Sequence, residues 1–276
     1  MSVGFHLTFR LRDSRVIASS VASRRRIARS FIEIGDRYGL LAFRLAGDHG
    51  HAELACDRAA AGRAAQAIGS SITQALGLPD GFNITHVKPI VDQAHLERTF
   101  HYVLGQHLRH GLTDDPVHDG SALPDLLQYR ILGSGIQERV CAHLPRVSRD
   151  DLLRHLGVAP TGLVFAPTHL ADAAAAVFAL PSLHGRSDAQ ALARAAAARI
   201  ALAHMKADAV TALLGGSRAR VYGARDVEVP ENVILAVSKG MTLRASLGDR
   251  LLVKLPAAPP PSRAGRVSVA GVGSEV

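Results

Sequence analysis

The chain has 276 residues, 47% of them hydrophobic and 20% charged, with a mean hydropathy of +0.12. That is enough apolar material for one large or two modest cores and excludes both a mini-protein and wholesale disorder. Lys+Arg 32 against Asp+Glu 24 leaves +8, only four of the cations being Lys, so a polyanionic partner that Arg can fork is expected.

In chain order, Phe5, Leu7, Phe9 and Leu11 alternate with His6, Thr8, Arg10 and Arg12, the period of a strand with one buried face. Residues from about Ser20 to Tyr38 place Ile27, Phe31 and Ile34 at helical spacing, with Arg24, Arg25, Arg26 and Arg29 near the start and Gly39 as the stop. Leu40 to Ala46 and His51 to Cys56 read as a hairpin about Gly47-Asp48. Asp57 caps a helix carrying Ala61, Ala64, Ile68 and Ile72 as far as Gly77. Asn83 to Ile90 is a strand whose Pro89 suits an edge, and Asp92 caps a helix with Leu96, Phe100 and Leu104 that runs to Gly111.

The order β-α-β-β-α-β-α is that of an α+β, ferredoxin-like domain with an antiparallel sheet and one added helix, filling residues 1–112. The polar, acidic stretch 113–124 reads as a linker to a mostly helical region over 125–255, and 256–276 as a Pro-rich disordered tail. Asp208 to Tyr222 has two helical segments about Gly215-Gly216. It resembles a helix-turn-helix, with Arg218 and Arg220 early in the second helix, and an ordinary helical hairpin is the alternative. Two cysteines, no leader and no long apolar run fit a soluble protein of a reducing, nucleoid-containing cytoplasm with no membrane partner.

His49 and His51, at i and i+2 in extended backbone, project to one side and suit a shared cation. Tyr102 and Gln106, at i and i+4, share one helix face. A solvated Tyr and Gln and two edge histidines are the bland alternative. A metallohydrolase that adds Glu53 to the two histidines is another, but it leaves Tyr102 and Gln106 unused.

Taken together, LAFRLAGDHGHAEL, FHYVLGQHLRHGL and GFHLTFRLRDSR resemble the single-tyrosine HUH nucleases, the transposases typified by REP-associated tyrosine transposases and their insertion-sequence relatives. The resemblance covers about residues 4–112. Gly50 stands where the family has a bulky residue, Gly47-Asp48 where Pro-Asn is common, and Gln106-His107 where one branch has Asn-Pro. The resemblance implies Tyr102 as a nucleophile that leaves a 5′-phosphotyrosine, and His49, His51 and Gln106 as ligands of Mg²⁺ or Mn²⁺. It implies transposition chemistry on single-stranded or hairpin DNA, with duplex contacts through the C-terminal region, and allows a homodimer. A domesticated, non-catalytic DNA-binding regulator is the alternative. Phosphate contacts are expected from Arg10, Arg12, Arg24, Arg25, Arg26, Arg218 and Arg220.

Overall fold

The computed structural model describes residues 2–12, 16–79, 81–111, 113–215, 217–224 and 226–250, without the side chains of Arg220, Asp249 and Arg250. The segment 256–276 lies outside the described residues. The chain is α+β, with one four-stranded antiparallel sheet in the order β2-β3-β1-β4. β1 (Gly4–Arg10) lies between β3 (His49–Leu54) and β4 (His86–Ile90), and β2 (Leu40–Ala46) forms the far edge.

The alternation in β1 sets the two faces of the sheet. Phe5, Leu7 and Phe9 stand opposite Leu54, Ala52 and Gly50 and are buried. Over them lie α1 (Val21–Gly35) and α2 (Arg58–Leu76), with Phe31 of α1 stacked on Phe43 of β2, ring centroids 4.9 Å apart. Local chemistry fixes both helices. Ser20 and Asp57 accept hydrogen bonds from the backbone N–H groups of Ser23 and Ala60, and Gly77 ends α2 in a left-handed conformation at φ 60°. The hairpin turns through Gly47, at φ 61°, and Asp48, so β3 starts at His49, two residues earlier than the sequence pattern suggests.

On the opposite face α3 (Gln93–Leu104), capped by Asp92, packs on β2 and β3. The outer edge of β2 is covered by residues 120–122: Leu45 N donates to Gly120 O at 2.9 Å and Ala122 N to Phe43 O at 2.9 Å. The stretch 113–124 is therefore no linker. Asp115, His118, Asp119 and Ser121 are buried, and Leu123 joins the core around the sheet. That core continues through α5 (Leu123–Leu126), α6 (Ser134–His143) and α7 (Arg149–Leu156) to Val158.

A second core forms where α8 (Pro167–Val177), α9 (Asp188–Leu202) and α12 (Glu231–Arg250) meet. Its helices are rich in Ala, including Ala173–Ala176 and Ala195–Ala198, which permits close approach. α10 (Ala207–Leu214) packs against α9 and against α11 (Arg218–Gly223). Among the described residues, no helix is long and apolar enough to cross a membrane.

Two ion-pair groups anchor the acidic stretch, and the first also ties α1 to the second core. Arg25 of α1 forks onto Asp119 at 3.1 and 3.2 Å and reaches Asp172 of α8 at 2.7 Å, and Asp172 also takes Arg244 of α12 at 2.6 Å. Arg24 pairs with Asp114 at 2.9 Å, and Arg44 of β2 with Asp115 at 3.2 Å. The acidic stretch supplies counter-charge for Arg24 and Arg25 of α1.

Candidate active site

The register that buries Phe5, Leu7 and Phe9 turns their neighbours to the α3 side of the sheet. Thr8 stands opposite His51, Arg10 opposite His49 and His6 opposite Glu53, while Arg44 of β2 also pairs with His51. His6, Thr8, Arg10, Arg44, His49, His51 and Glu53 thus share one face. Gly50, between the two histidines, faces the apolar side. A Cβ there would lie 3.3 Å from Leu45 Cδ2 and 3.6 Å from the Phe31 ring, so a bulky side chain would displace Phe31.

α3 brings Tyr102 over this face. The single helix expected up to Gly111 is broken at Gly105, where φ −78° and ψ 0° end α3 and begin α4 (Gln106–His110). A Cβ at Gly105 would come within 2.9 Å of His101 O, which favours glycine at the break. Gln106 is 1% exposed; its amide donates to Tyr102 O at 2.9 Å and its carbonyl accepts from His110 Nε2 at 3.1 Å.

Rings then link the strands to the helices. His49 lies 4.8 Å from His51 and 5.2 Å from His110, measured between ring centroids. Tyr102 meets His51 edge-on at 5.5 Å and His6 at 5.7 Å, and the Arg109 guanidinium lies 5.5 Å from the Tyr102 ring centroid. Tyr102 is 39% exposed, so its ring is open to an incoming molecule while Gln106 and His51 are buried.

Both histidines have one ring nitrogen engaged. His49 Nδ1 donates to Asp48 Oδ1 at 2.7 Å, and His51 Nδ1 lies 3.0 Å from His6 Nε2 and 3.4 Å from Thr8 Oγ1. His51 Nε2 is buried and has no hydrogen-bond partner. An imidazole held through Nδ1 with Nε2 unmet is the arrangement of a metal ligand whose outer neighbour sets its tautomer. Burial, and then the charges of Lys88 and His95, pushes His6 down to about 4; burial, and then the neighbouring histidines and Arg109, pushes His51 down to about 3. The His51 ring is thereby held in the neutral form that coordination requires. Glu53 is fully buried with neither oxygen partnered, and burial raises its pKa well above the carboxylate range.

Among the described residues, no group of three His, Cys, Asp or Glu side chains is arranged to hold a metal ion. The candidate set of His49, His51 and Gln106 has two imidazoles and an amide instead. The unmet His51 Nε2 fits a cation, and the Gln106 carbonyl, bonded once to His110, retains a second lone pair.

The arginines divide. Arg10 is exposed at the rim, with Asp48 at 3.8 Å, and Arg12 is exposed with its Nε on Phe82 O at 3.3 Å. Arg26 is exposed on α1. Arg24 and Arg25, expected at phosphates, are instead buried at 6% and 1% exposure and neutralised by Asp114, Asp115, Asp119 and Asp172. Arg218 is exposed and paired with Asp208 across α10 and α11, and Arg220 lies in α11 with its side chain outside the described atoms. The six-residue α11 buries Val221 in the second core.

Sequence reasoning passed over four residues of the cluster: His6, Asp48, Arg109 and His110. Two had a signal. His6 occupies the polar phase of β1, and His110 continues the spacing of Tyr102 and Gln106 by another four residues. No family model, no curated protein and no solved structure matches the chain.

Proposed function

We propose that this chain is a DNA endonuclease and strand transferase of the single-tyrosine HUH type, acting on single-stranded or hairpin DNA. The observation that carries the reading is the convergence of Tyr102 with His49, His51 and Gln106 from β3, α3 and α4 on one face of the sheet. The strand order and antiparallel pairings also support it, because β1 and β2 flank an antiparallel β3 as in a split βαβ, ferredoxin-like sheet.

In this reading the Tyr102 phenol gives up its proton as its oxygen attacks the scissile phosphorus, the phosphorus–O3′ bond breaks and the 3′ oxygen takes up a proton. The 5′ phosphate stays on Tyr102, and a second 3′-hydroxyl reverses the step to rejoin a strand. His49, His51 and Gln106 would hold Mg²⁺ or Mn²⁺, which when bound supplies Lewis-acid charge to the phosphate oxygens. Asp48 and His6 orient the two imidazoles, and Arg109 places a fixed positive charge beside the phenol.

Incubation with labelled hairpin DNA and Mn²⁺, followed by a denaturing gel, tests the reading. A covalent protein–DNA adduct is expected from wild type. DNA binding with no adduct would leave a non-catalytic regulator as the function.

A further inference from the structure

α3 covers the β2 and β3 half of the catalytic face. On the other half, between β1 and β4, lies a cavity of about 310 Å³ lined by Thr8, Arg10, Asn83, Ile84, His86 and Lys88. We propose that this groove seats the unpaired DNA strand beside the phosphodiester presented to Tyr102, with Lys88 and Arg10 on its phosphates and Asn83 and Ile84 on a base. The inference rests on the nuclease reading and adds residues to it.

Four observations carry it. The groove adjoins the cluster: Thr8 lines it and also lies 3.4 Å from His51 Nδ1. His86 and Lys88 stand opposite Thr8 and His6 in register, so their side chains share the catalytic face. Arg10 has Asp48 at 3.8 Å, whereas His86 and Lys88 have no carboxylate partner among the described residues. Ile84 is 92% exposed, an apolar side chain left in water beside three basic ones.

Two cations on neighbouring strands, an apolar surface and an amide suit a strand whose bases are turned out. A duplex keeps its bases stacked and offers this groove phosphates alone. An acidic peptide would use the cations but has no flat face for Ile84.

The test uses the full chain carrying Tyr102→Phe, which cannot be trapped covalently, and fluorescence anisotropy with a labelled mixed-sequence single strand and its duplex. Lys88→Gln is expected to weaken single-strand binding about tenfold and to lower the slope of log K against log salt by about 0.7, with Lys88→Arg restoring the slope. Ile84→Ser is expected to weaken it about tenfold through lost base contact. Both side chains are solvent-facing, so folding is kept; duplex affinity should not change with Ile84→Ser and should fall less than single-strand affinity with Lys88→Gln.

Single-strand affinity and slope unchanged in both variants would overturn the groove, as would an absence of single-strand binding by the Tyr102→Phe chain. Equal binding of polyglutamate, lost in the same variants, would overturn the nucleic-acid assignment. Wild type with Mn²⁺ is run beside these on the denaturing gel. An adduct with unaffected variants removes only the groove, and affected variants with no adduct keep the groove and remove the nuclease.

Discussion

Replacing Arg25 by Met separates a structural arginine from a DNA-binding one. The guanidinium is 1% exposed and makes its fork on Asp119, its contact with Asp172 at 2.7 Å and a bond to Leu180 O at 3.4 Å. Burial alone would pull its pKa down; Asp119 and Asp172 outweigh that and raise it. Met fills most of the volume, so the cost is electrostatic. Asp119, 3% exposed, keeps only Arg244 at 3.9 Å, while Asp172 keeps Arg244 at 2.6 Å. Stranding one buried carboxylate in this way costs about 3–5 kcal/mol. For a chain of this size that is a fall in Tm on the order of 10 °C. Urea unfolding followed by circular dichroism gives the free energy, with the exposed neighbour Arg26→Met expected to change it by less than about 0.5 kcal/mol. At a temperature where the variant is folded, its DNA affinity should stay within about twofold of wild type. An Arg25→Met chain as stable as wild type but weakened toward DNA would refute the structural assignment.

Three further outcomes are expected. Tyr102→Phe should abolish the covalent adduct and leave DNA affinity nearly unchanged, since only the phenolic oxygen is lost; adduct from the variant on the same gel would move the nucleophile to another tyrosine. His49→Ala or His51→Ala should remove Mn²⁺-dependent cleavage, with Gln106→Ala milder because water can replace an amide; identical Mn²⁺ titrations in wild type and His51→Ala would discard the metal site. His118 is 3% exposed, accepts from Arg44 Nη1 at 3.0 Å through Nδ1, and is held well below its usual pKa by burial first and by Arg44 second. Its neutral form is the folded one, so stability is present above the unfolded value near 6.5 and falls as protons bind the unfolded chain below it. Between pH 7 and pH 5.5 wild type should lose about 1.2 kcal/mol more than His118→Asn in urea melts, and equal losses would contradict this role.

What the sequence displayed was local. The alternation of Phe5 to Leu11, the caps at Asp57 and Asp92 and the stop at Gly77 each act within a few residues, and they were enough for an α+β chain with an antiparallel sheet. What it concealed was long-range. Arg24 and Arg25 look like a solvated basic run, and 113–124 looks like a polar connection. Some ninety residues separate the two in sequence, and only the fold brings them together as each other's counter-charges. The break at Gly105 was hidden for a different reason: Leu96, Phe100 and Leu104 continue helically right up to it, and a lone glycine inside a helical pattern is tolerated without ending it. The spacing of Tyr102 and Gln106 survives the break, because Gln106 Nε2 still reaches back to Tyr102 O.

The two edges of the sheet are finished differently. β2 is closed by residues 120–122, whereas β4 ends the sheet with no strand beyond it among the described residues. A bare edge of this kind is a template on which a neighbouring molecule can lay its own strand. β4 carries its own guard. Pro89 offers no N–H for such a ladder, and the exposed Lys88 makes the approach of a second copy's β4 one of like charges. The edge therefore stays free without a covering segment, and edge-to-edge growth of the sheet into a polymer is blocked by two consecutive side chains.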